Sequence, residues 1–334
     1  MTGRTPRVLI LSASYGSGHN AVAAALDTAF RAAGARTRVV DHFRELVHPR
    51  FDRWSRRLYE LMLYRTPAVW GLAYWLGDQM AASSRLTFDM SRLGAGKLLR
   101  VLETERPDAV VCTHPTPAAA LAALRARGRA VPPFAIVFSD FTAHSQWIHP
   151  AADAHYVPAD AVRREIVARG MAESRVVATG VPVRSEFDEP MERAEARGSL
   201  GLARDVPVVL AMAGTFAGTG RLETATRVLR DLPRPLQAVV VAGVDAALAE
   251  RLRRIARGCP DRIRVIGYAD NVRRLMAAAD LLVTKAGGVS LAEALTAELP
   301  MSASGRSEVT RRETNGSPCR PARRWPRVRR ASSS

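Results

Sequence analysis

The sequence predicts an α/β protein in which two doubly wound parallel sheets face one another across a cleft. Two observations lead to this fold class. Strand-like and helix-like segments alternate twice along the 334 residues, which is the pattern of parallel sheets covered by helices. A polar, charged stretch at 185–205 separates the two runs, so we expect one domain at 1–184 and a second at 185–300.

The first run starts with the short apolar segment from Val8 to Leu11, followed by a glycine-rich turn and an alanine-rich helical pattern. Short apolar runs bounded by turn residues predict buried strands, whereas longer periodic segments predict helices. In this domain we expect strands at 8–12, 38–41, 109–113, 134–139, 155–157 and 176–179. We expect helices at 20–33, 117–127 and 160–169, and a long helical region over 49–105.

The second run restarts after residue 206. Here the same criteria predict strands at 207–213, 236–242, 262–266 and 281–284. Helices are expected at 222–229, 246–257, 272–279 and 289–297, after a lead-in helix within 185–205. Because ligands bind beyond the carboxyl ends of parallel strands, a cleft between two such sheets is the expected binding site.

The composition favours an anionic partner or substrate, because the net charge is +17. Residues 301–334 hold nine arginines and two glutamates, a net charge of +7, which leaves +10 for the first 300 residues. A generally arginine-rich composition is the alternative explanation. The sequence shows no signal peptide and no apolar run of about 18 residues, so we expect no membrane span. The cysteines lack metal or disulfide spacing and indicate a reducing, cytosolic setting; they are Cys112, Cys259 and Cys319.

The stretch at 12–26 contains a glycine loop between the first strand and the first helix. Gly16, Gly18 and Ala21 match the spacing of dinucleotide-binding loops. Asp41 lies at the end of the second strand, where a ribose-binding carboxylate is expected in such folds. The pattern therefore keeps an NAD(P)-dependent oxidoreductase open, beside the simpler possibility of a glycine-rich turn without a ligand.

His19 indicates a different chemistry for the same loop. A pyrophosphate-binding loop has no need of an imidazole at the start of its helix. A loop that must remove a proton does, because histidine titrates near neutral pH.

Three segments together resemble the GT-B glycosyltransferases related to monogalactosyldiacylglycerol synthase, processive diacylglycerol glucosyltransferase and the peptidoglycan enzyme MurG. They are LVTKAGGVSLAEAL at 282–295, SYGSGH at 14–19, and FSDF at 138–141 followed by His144 and Trp147. The resemblance extends in order over residues 7–300. It implies two Rossmann-like domains and transfer of a hexose, galactose or glucose, from a UDP-sugar to diacylglycerol or a related lipid. The UDP-sugar is then a substrate, and no cofactor is expected.

The resemblance places the nucleotide in the second domain. Two glycines ahead of a helix with Ser290 in its first turn are a favourable place for a pyrophosphate. Glu293 is implied to accept hydrogen bonds from the ribose hydroxyls; the alternative is an ordinary solvent-exposed helix glutamate. The implied donor-binding residues are Gly214, Thr215, Tyr268, Gly287, Gly288, Ser290 and Glu293.

The first domain is implied to bind the acceptor. His19 is the favoured general base, since its position at a helix N-terminus favours the neutral imidazole. Asp140 is the competing base; alternatively it pairs with His19 and orients the ring, or only caps a turn. No Asp-x-Asp pair is present and the chemistry needs no metal. The implied acceptor-binding residues are Gly16, Gly18, His144 and Trp147, of which the last two either line the acceptor site or simply pack.

An aromatic and basic stretch in the first domain predicts contact with an anionic membrane surface. Three of the five tryptophans lie between positions 54 and 75 with arginines beside them, and such side chains favour the headgroup region. We expect a peripheral protein on the cytoplasmic face of the cell membrane; the alternative is an ordinary core helix. The expected contact residues are Trp54, Arg56, Arg57, Trp70 and Trp75.

The alternating pattern stops after Leu299 and Pro300. Residues 301–334 are rich in Arg, Ser and Pro, which predicts a disordered basic tail, and no further strand is expected. The resembling family continues with a strand and a Gly-Gln-Glu loop. This difference implies an incomplete second domain, a shifted reading frame in the tail, and an inactive remnant as one possible state. A nucleic-acid-binding protein is the least favoured alternative, since no recognition module is present, and no nucleic acid is expected as a partner.

Overall fold

The structure is a computed structural model that describes residues 4–66, 69, 71–72, 75–76, 78, 93–212, 221–285 and 287–303. Within this part of the chain the predicted α/β class is confirmed. Two parallel sheets of six and five strands are each built from one of the two alternating runs. No helix in the described ranges is both long and apolar enough to cross a bilayer.

The first sheet has the strand order β2-β1-β3-β4-β5-β6, and every neighbouring pair is parallel. The chain therefore runs outward from β1 to β2 and then returns to the other side of β1 for β3. The order reverses between β1 and β3, which makes this the switch point of the sheet. The strands are β1 (Arg7–Ser12), β2 (Arg36–Asp41), β3 (Ala109–Cys112), β4 (Phe134–Val137), β5 (Ala154–Val157) and β6 (Val176–Ala178).

The helices of the first domain cover this sheet, and their apolar faces form its core. Leu98, Leu121 and Ile166 pack with Leu9 and Ile136 of the strands in one buried cluster. The described helices are α1 (Ser17–Ala32), a π-helical turn (His42–Val47), α2 (Pro49–Arg65), α3 (Ala95–Glu105), α4 (Pro115–Ala126) and α5 (Asp160–Ala168).

The helical region expected over 49–105 is not one continuous helix. Its first helix, α2, ends with Thr66 as its C-cap, and α3 begins after Gly94. Gly94 has a φ of 82°, a left-handed conformation that glycine adopts without steric cost. The π-helical turn before α2 was not predicted; the carboxylate of Asp41 caps it by accepting a hydrogen bond from the Arg44 backbone N–H.

The second sheet has the order β11-β10-β7-β8-β9, again with parallel pairs only. Its switch point lies between β7 and β10. The strands are β7 (Val208–Met212), β8 (Gln237–Val241), β9 (Ile263–Ile266), β10 (Leu281–Thr284) and β11 (Met301–Ala303). The helices are α6 (Arg193–Ser199), α7 (Arg221–Asp231), α8 (Ala246–Ile255), α9 (Val272–Ala278) and α10 (Gly288–Thr296).

The expectation that no strand follows Pro300 is wrong. Met301 lies opposite Leu282 of β10, and the Leu282 backbone N–H donates to the Pro300 carbonyl at 2.8 Å. A three-residue edge strand is held by backbone hydrogen bonds, so its side chains need no apolar pattern. The second sheet therefore extends beyond residue 300 into the predicted tail of 301–334, and the rest of that tail, 304–334, lies outside the described residues.

Candidate active site

The switch points of the two sheets face each other, and the N-termini of α1 and α10 meet there. A Cβ atom built on Gly18 would lie 3.4 Å from Val289 Cγ2. A Cβ on Gly288 would overlap the Ser139 carbonyl oxygen and lie 2.8 Å from the Asp140 Cα. Glycine at position 288 is thus what lets the two domains approach so closely, whereas a Cβ at position 18 would make an ordinary van der Waals contact. The predicted cleft lies at this contact between the domains.

His19 lies in the first turn of α1, with its ring between the ends of β3 and β4. Its Nδ1 atom is 2.9 Å from the Thr113 carbonyl oxygen and 2.9 Å from the Ser139 hydroxyl. A carbonyl oxygen can only accept, so Nδ1 carries the proton and Nε2 carries the lone pair. Burial lowers the pKa of His19 to about 4, against the opposing effect of the Thr113 carbonyl. The imidazole is therefore neutral at pH 7, as a general base must be.

Trp147 and Phe138 form an aromatic wall beside His19. The ring centroids of His19 and Trp147 are 5.7 Å apart, and those of Trp147 and Phe138 are 5.1 Å apart. Trp147 is only 8% exposed, so it packs in the wall instead of projecting into open solvent. His144 is also buried and caps the 3₁₀ turn Ser145–Trp147 by accepting from the Gln146 backbone N–H at 3.2 Å.

His114 is a neighbour of His19 that the sequence reasoning missed. The two ring centroids lie 4.8 Å apart in an edge-to-face arrangement. His114 caps α4, because its Nδ1 accepts a hydrogen bond from the Thr116 backbone N–H at 3.2 Å. Burial, and then the nearby His19 and His42, lower its pKa well below the usual value. A polar residue directly after a strand of the switch point is the sequence signal that points to it.

Of the alternatives for Asp140, pairing with His19 is not found in the structure. Ser139, one residue earlier, makes the contact with the imidazole, because successive side chains leave an extended segment on opposite sides. Asp140 accepts a hydrogen bond from the Phe141 backbone N–H at 2.9 Å, as a turn-capping aspartate does. The Asp140 side chain is exposed, yet desolvation by the surrounding protein raises its pKa. The Phe141 N–H and the charge of Lys285 act in the opposite direction and lower it.

Asp41 holds the glycine loop in place. One carboxylate oxygen accepts from the Arg44 N–H at 2.9 Å, and the other accepts from the Ser14 hydroxyl. Asn20 extends the network, since its side chain donates to Ser14 Oγ at 3.0 Å and accepts from Ser12 Oγ at 2.7 Å. Both oxygens of Asp41 thus accept hydrogen bonds from the loop and the following turn. The oxidoreductase alternative needs this carboxylate to bind a ribose, but it is already hydrogen-bonded within the protein.

Glu293 lies in the second turn of α10 and is buried, with 2% of its surface exposed. The alternative of an ordinary exposed helix glutamate is therefore wrong. Arg184 contacts the carboxylate from the segment between the domains, with Nη2 2.9 Å and Nε 3.1 Å from Oε1. Burial raises the pKa of Glu293, and Arg184 opposes this rise. No local sequence pattern predicts this pair, because its members are 109 positions apart.

The remaining donor-site candidates lie at the ends of the second sheet. Gly287 precedes α10, Gly288 begins it, and Ser290 lies in its first turn, partly exposed. Tyr268 follows β9 and is 63% exposed, next to the point where the Gly243 backbone N–H donates to the Gly267 carbonyl at 3.2 Å. The loop with the other two candidates, Gly214 and Thr215, is outside the described residues.

Exposed apolar side chains lie on α2 and on the helical backbone described at 69, 71–72 and 75–76, and together we call them the apolar stripe. Trp54 is 62% exposed and Arg57 beside the stripe is also exposed, whereas Arg56 is bound at 2.7 Å to the buried carboxylate of Asp52. Arg56 is therefore part of a structural ion pair, and Trp70 lies outside the described residues. The stripe consists of Trp54, Leu58, Leu61, Val69, Leu72, Trp75 and Leu76.

The inner face of α2 connects this stripe to the glycine loop. Tyr15 of the loop packs on Tyr59 with ring centroids 5.7 Å apart and on Phe43 at 4.7 Å. Its hydroxyl donates to Ser55 Oγ on the same helix. The loop that carries His19 is thus attached to the helix that carries the apolar stripe.

Comparison with known sequences identifies two groups of relatives that agree. The family described as monogalactosyldiacylglycerol (MGDG) synthase matches residues 19–183. A protein named processive diacylglycerol beta-glucosyltransferase from Bacillus mycoides (strain KBAB4) is 30% identical over 300 residues, covering 89% of this chain and 76% of that protein. The protein of the same name from Bacillus cereus (strain AH187) is 30% identical over 299 residues, with the same coverage.

Comparison with solved structures supports the fold. The chain superposes on MurG from Acinetobacter baumannii with a TM-score of 0.51 and 15% identity, covering 93% of this chain and 90% of that one. It superposes on UDP-GlcNAc 2-epimerase from Neisseria meningitidis, bound to UDP-GlcNAc, with a TM-score of 0.54 and 12% identity, covering 89% and 82%. At these sequence identities the similarity supports a common fold and says nothing about function.

Proposed function

The chain belongs to the family of diacylglycerol glycosyltransferases, and from this we propose that it transfers a hexose from a UDP-sugar to the hydroxyl of diacylglycerol. It is a glycosyltransferase with a GT-B fold, in which two α/β domains face each other across a cleft. The observation that supports this function best is the juxtaposition of His19, a neutral base at the switch point of the first sheet, with the glycine-led N-terminus of α10.

His19 is proposed to act as the general base. Its Nε2 lone pair accepts the proton of the lipid hydroxyl while the hydroxyl oxygen attacks C1 of the hexose. The bond between C1 and the phosphate oxygen breaks, and UDP leaves with the electron pair. Thr113 supports this role because its carbonyl fixes the Nδ1–H tautomer. The neutral form is already populated at pH 7, so no proton need be lost before reaction.

The start of α10 is proposed to hold the diphosphate of the donor. Backbone N–H groups at a helix N-terminus, together with the helix dipole, favour a negative group. The same donors stabilise the charge that develops on UDP as the glycosidic bond breaks. Gly288 suits this position because a side chain there would collide with the Ser139 backbone, Gly287 precedes it as the N-cap of the helix, and Ser290 adds a hydroxyl in the same turn. Because Gly288 lies against Ser139 in this structure, the two domains must move apart at this point for the donor to bind.

The exposed apolar stripe on α2 is proposed to rest on the cytoplasmic surface of the cell membrane. Trp54, Leu58 and Leu61 recur at spacings of four and three residues, so they share one face of the helix. Exposed arginines beside such a stripe attract anionic headgroups, while the apolar side chains enter the boundary of the acyl region. Because α2 packs on the loop of His19, docking at this stripe brings the lipid hydroxyl close to the base.

Vesicle sedimentation tests the membrane proposal. We expect the protein to bind vesicles that contain phosphatidylglycerol, and to be released as salt is raised toward 0.5 M. Trp54→Ser should weaken binding about tenfold, since a buried aromatic side chain contributes about 1.5 kcal/mol or more. Val228→Ser is the matched control, because Val228 is 54% exposed on α7 of the other domain and should not matter. Equal losses in both variants would contradict the assignment of the stripe.

Ligand-dependent thermal unfolding separates the proposed function from the oxidoreductase alternative. A ligand present at about 100 times its Kd stabilises the folded state by about 2.7 kcal/mol. We expect UDP to raise the Tm and NAD to leave it unchanged, because Asp41 is engaged within the first domain. Stabilisation by NAD alone would contradict the proposed function.

A further inference from the structure

Arg184 lies in the segment between the domains, directly before the 3₁₀ turn Ser185–Phe187. Its guanidinium makes two contacts with Glu293, and both end at the same carboxylate oxygen, Oε1. The Glu293 side chain is almost fully buried, whereas that of Arg184 is partly exposed. A buried carboxylate held by a charge-assisted pair of bonds has its orientation set by that partner. Arg184 does not engage the second oxygen, Oε2.

The backbone that carries Arg184 is itself fixed. Val183 packs against the core of the second domain and against the apolar cluster between the domains. Phe187 is buried in the core of the second domain. Glu186 accepts a hydrogen bond from the Arg273 backbone N–H at 3.3 Å, which ties the same segment to the start of α9. The backbone of Arg184 is therefore held in place by its neighbours, as is required of a residue that positions another side chain.

We propose that Arg184 is a positioning residue for the sugar-nucleotide donor: it holds Glu293 through Oε1 so that Oε2 accepts a hydrogen bond from a ribose hydroxyl of UDP. The proposal rests on the proposed function, which places UDP at α10. It assigns Arg184 no contact with the substrate. The ion pair between the linking segment and α10 then contributes to the binding of UDP as well as to the packing of the domains.

The electrostatics of the Arg184–Glu293 pair predict that the effect of Arg184 on UDP affinity depends on pH. The charged groups that act on Glu293 are Arg184 and Glu186, both from the linking segment. Burial raises the pKa of Glu293, Arg184 lowers it, and Glu186 raises it further. Without Arg184 the pKa rises, so the carboxylate becomes protonated at a higher pH than in the wild type. A protonated carboxyl group is a weaker acceptor, so the loss of UDP affinity should grow as the pH falls.

The test is isothermal titration of the full chain with UDP between pH 8.5 and 5.5. We expect Arg184→Met to raise the Kd for UDP about tenfold near pH 6, the equivalent of one charge-assisted hydrogen bond, and less at pH 8.5. The ratio of variant to wild-type Kd is the quantity to follow, because titration of the UDP phosphate affects both proteins equally. Arg184→Lys, which keeps the charge, should return the ratio to about threefold or less.

Two further variants separate positioning from a purely structural role. In a Glu293→Gln background, Arg184→Met should have no additional effect on Kd, because the group that it positions is gone. Arg193→Met is the matched control, since Arg193 forms a 2.7 Å ion pair with Asp280 in the same domain, away from α10. It should leave the Kd unchanged. If Arg184→Met does not fold, Arg184→Gln, which also removes the charge, is titrated in its place with the same expected Kd ratios.

A Kd ratio that stays near one at every pH would overturn the proposal, even if the Tm of Arg184→Met falls. A tighter Kd in Arg184→Met would also overturn it, because Arg184 would then compete with the ribose for Glu293. If the wild type itself fails to bind UDP, the proposed function fails and the role of Arg184 fails with it. If the wild type binds and only the variant comparison fails, the proposed function stands.

Discussion

Gly288→Ala tests the close contact between the two domains. The added Cβ would overlap the Ser139 carbonyl oxygen and would lie 2.8 Å from the Asp140 Cα and 2.9 Å from the Ser139 carbonyl carbon. All three are backbone atoms, which cannot move aside as a flexible side chain can. Overpacking of this kind costs about 1–3 kcal/mol. Since 1 kcal/mol shifts the Tm of a domain of this size by about 2–4 °C, we expect a fall of about 2–12 °C.

The assay is thermal unfolding together with small-angle X-ray scattering, because the strain can also be relieved by separation of the domains. In that case the radius of gyration increases while the Tm changes less. Gly96→Ala is the matched control: Gly96 lies in α3, and its added Cβ would meet nothing within 4 Å. That variant should be as stable as the wild type or slightly more stable. If Gly288→Ala leaves both the Tm and the radius of gyration unchanged, the described contact between the domains is wrong.

Three further predictions concern the base and the membrane surface. His19→Ala should lower kcat by about 10²–10⁴ while the Kd for UDP stays within about twofold, and a parallel loss of UDP binding in titrations would argue against a role as base. Because burial lowers the pKa of His19 to about 4, kcat/KM should stay nearly constant from pH 8 to 6, and an acid limb centred at about 6.5 in the rate profile would contradict this environment. Arg56→Met should lower the Tm, because it leaves the buried carboxylate of Asp52 unpaired, at a cost of about 1–3 kcal/mol. Arg57→Met should instead weaken binding to anionic vesicles about fivefold with little change in Tm. A loss of vesicle binding in Arg56→Met together with a loss of stability in Arg57→Met would refute the different roles assigned to the two arginines.

The features that could be predicted from the sequence are those set by local pattern. The alternation of apolar runs with helical segments was enough to predict both parallel sheets. His19 was identifiable because an imidazole at the start of a helix is unusual in a glycine loop, and its position in the first turn of α1 agrees with that reasoning. Its role as a base stays a prediction until it is assayed.

The features that escaped prediction depend on contacts between distant segments. The pairing of Arg184 with Glu293 joins residues 109 positions apart, and it exists only because the linking segment packs against α10. The choice of Ser139 over Asp140 as the partner of His19 depends on which way a side chain leaves the end of β4, and a shift of one residue reverses that direction. The edge strand β11 was missed because it is only three residues long and has a single apolar side chain that packs on the core, that of Met301, so no local pattern marks it.

The proposed function is tested most directly by hexose transfer to lipid. Vesicles of phosphatidylglycerol containing diacylglycerol would be incubated with the full chain and radiolabelled UDP-glucose or UDP-galactose, then extracted with organic solvent and separated by thin-layer chromatography. We expect label from one of the two donors in a band that migrates as hexosyl-diacylglycerol, and almost none with His19→Ala. An organic phase without label for both donors, from wild-type protein that still binds UDP, would contradict the proposed transfer.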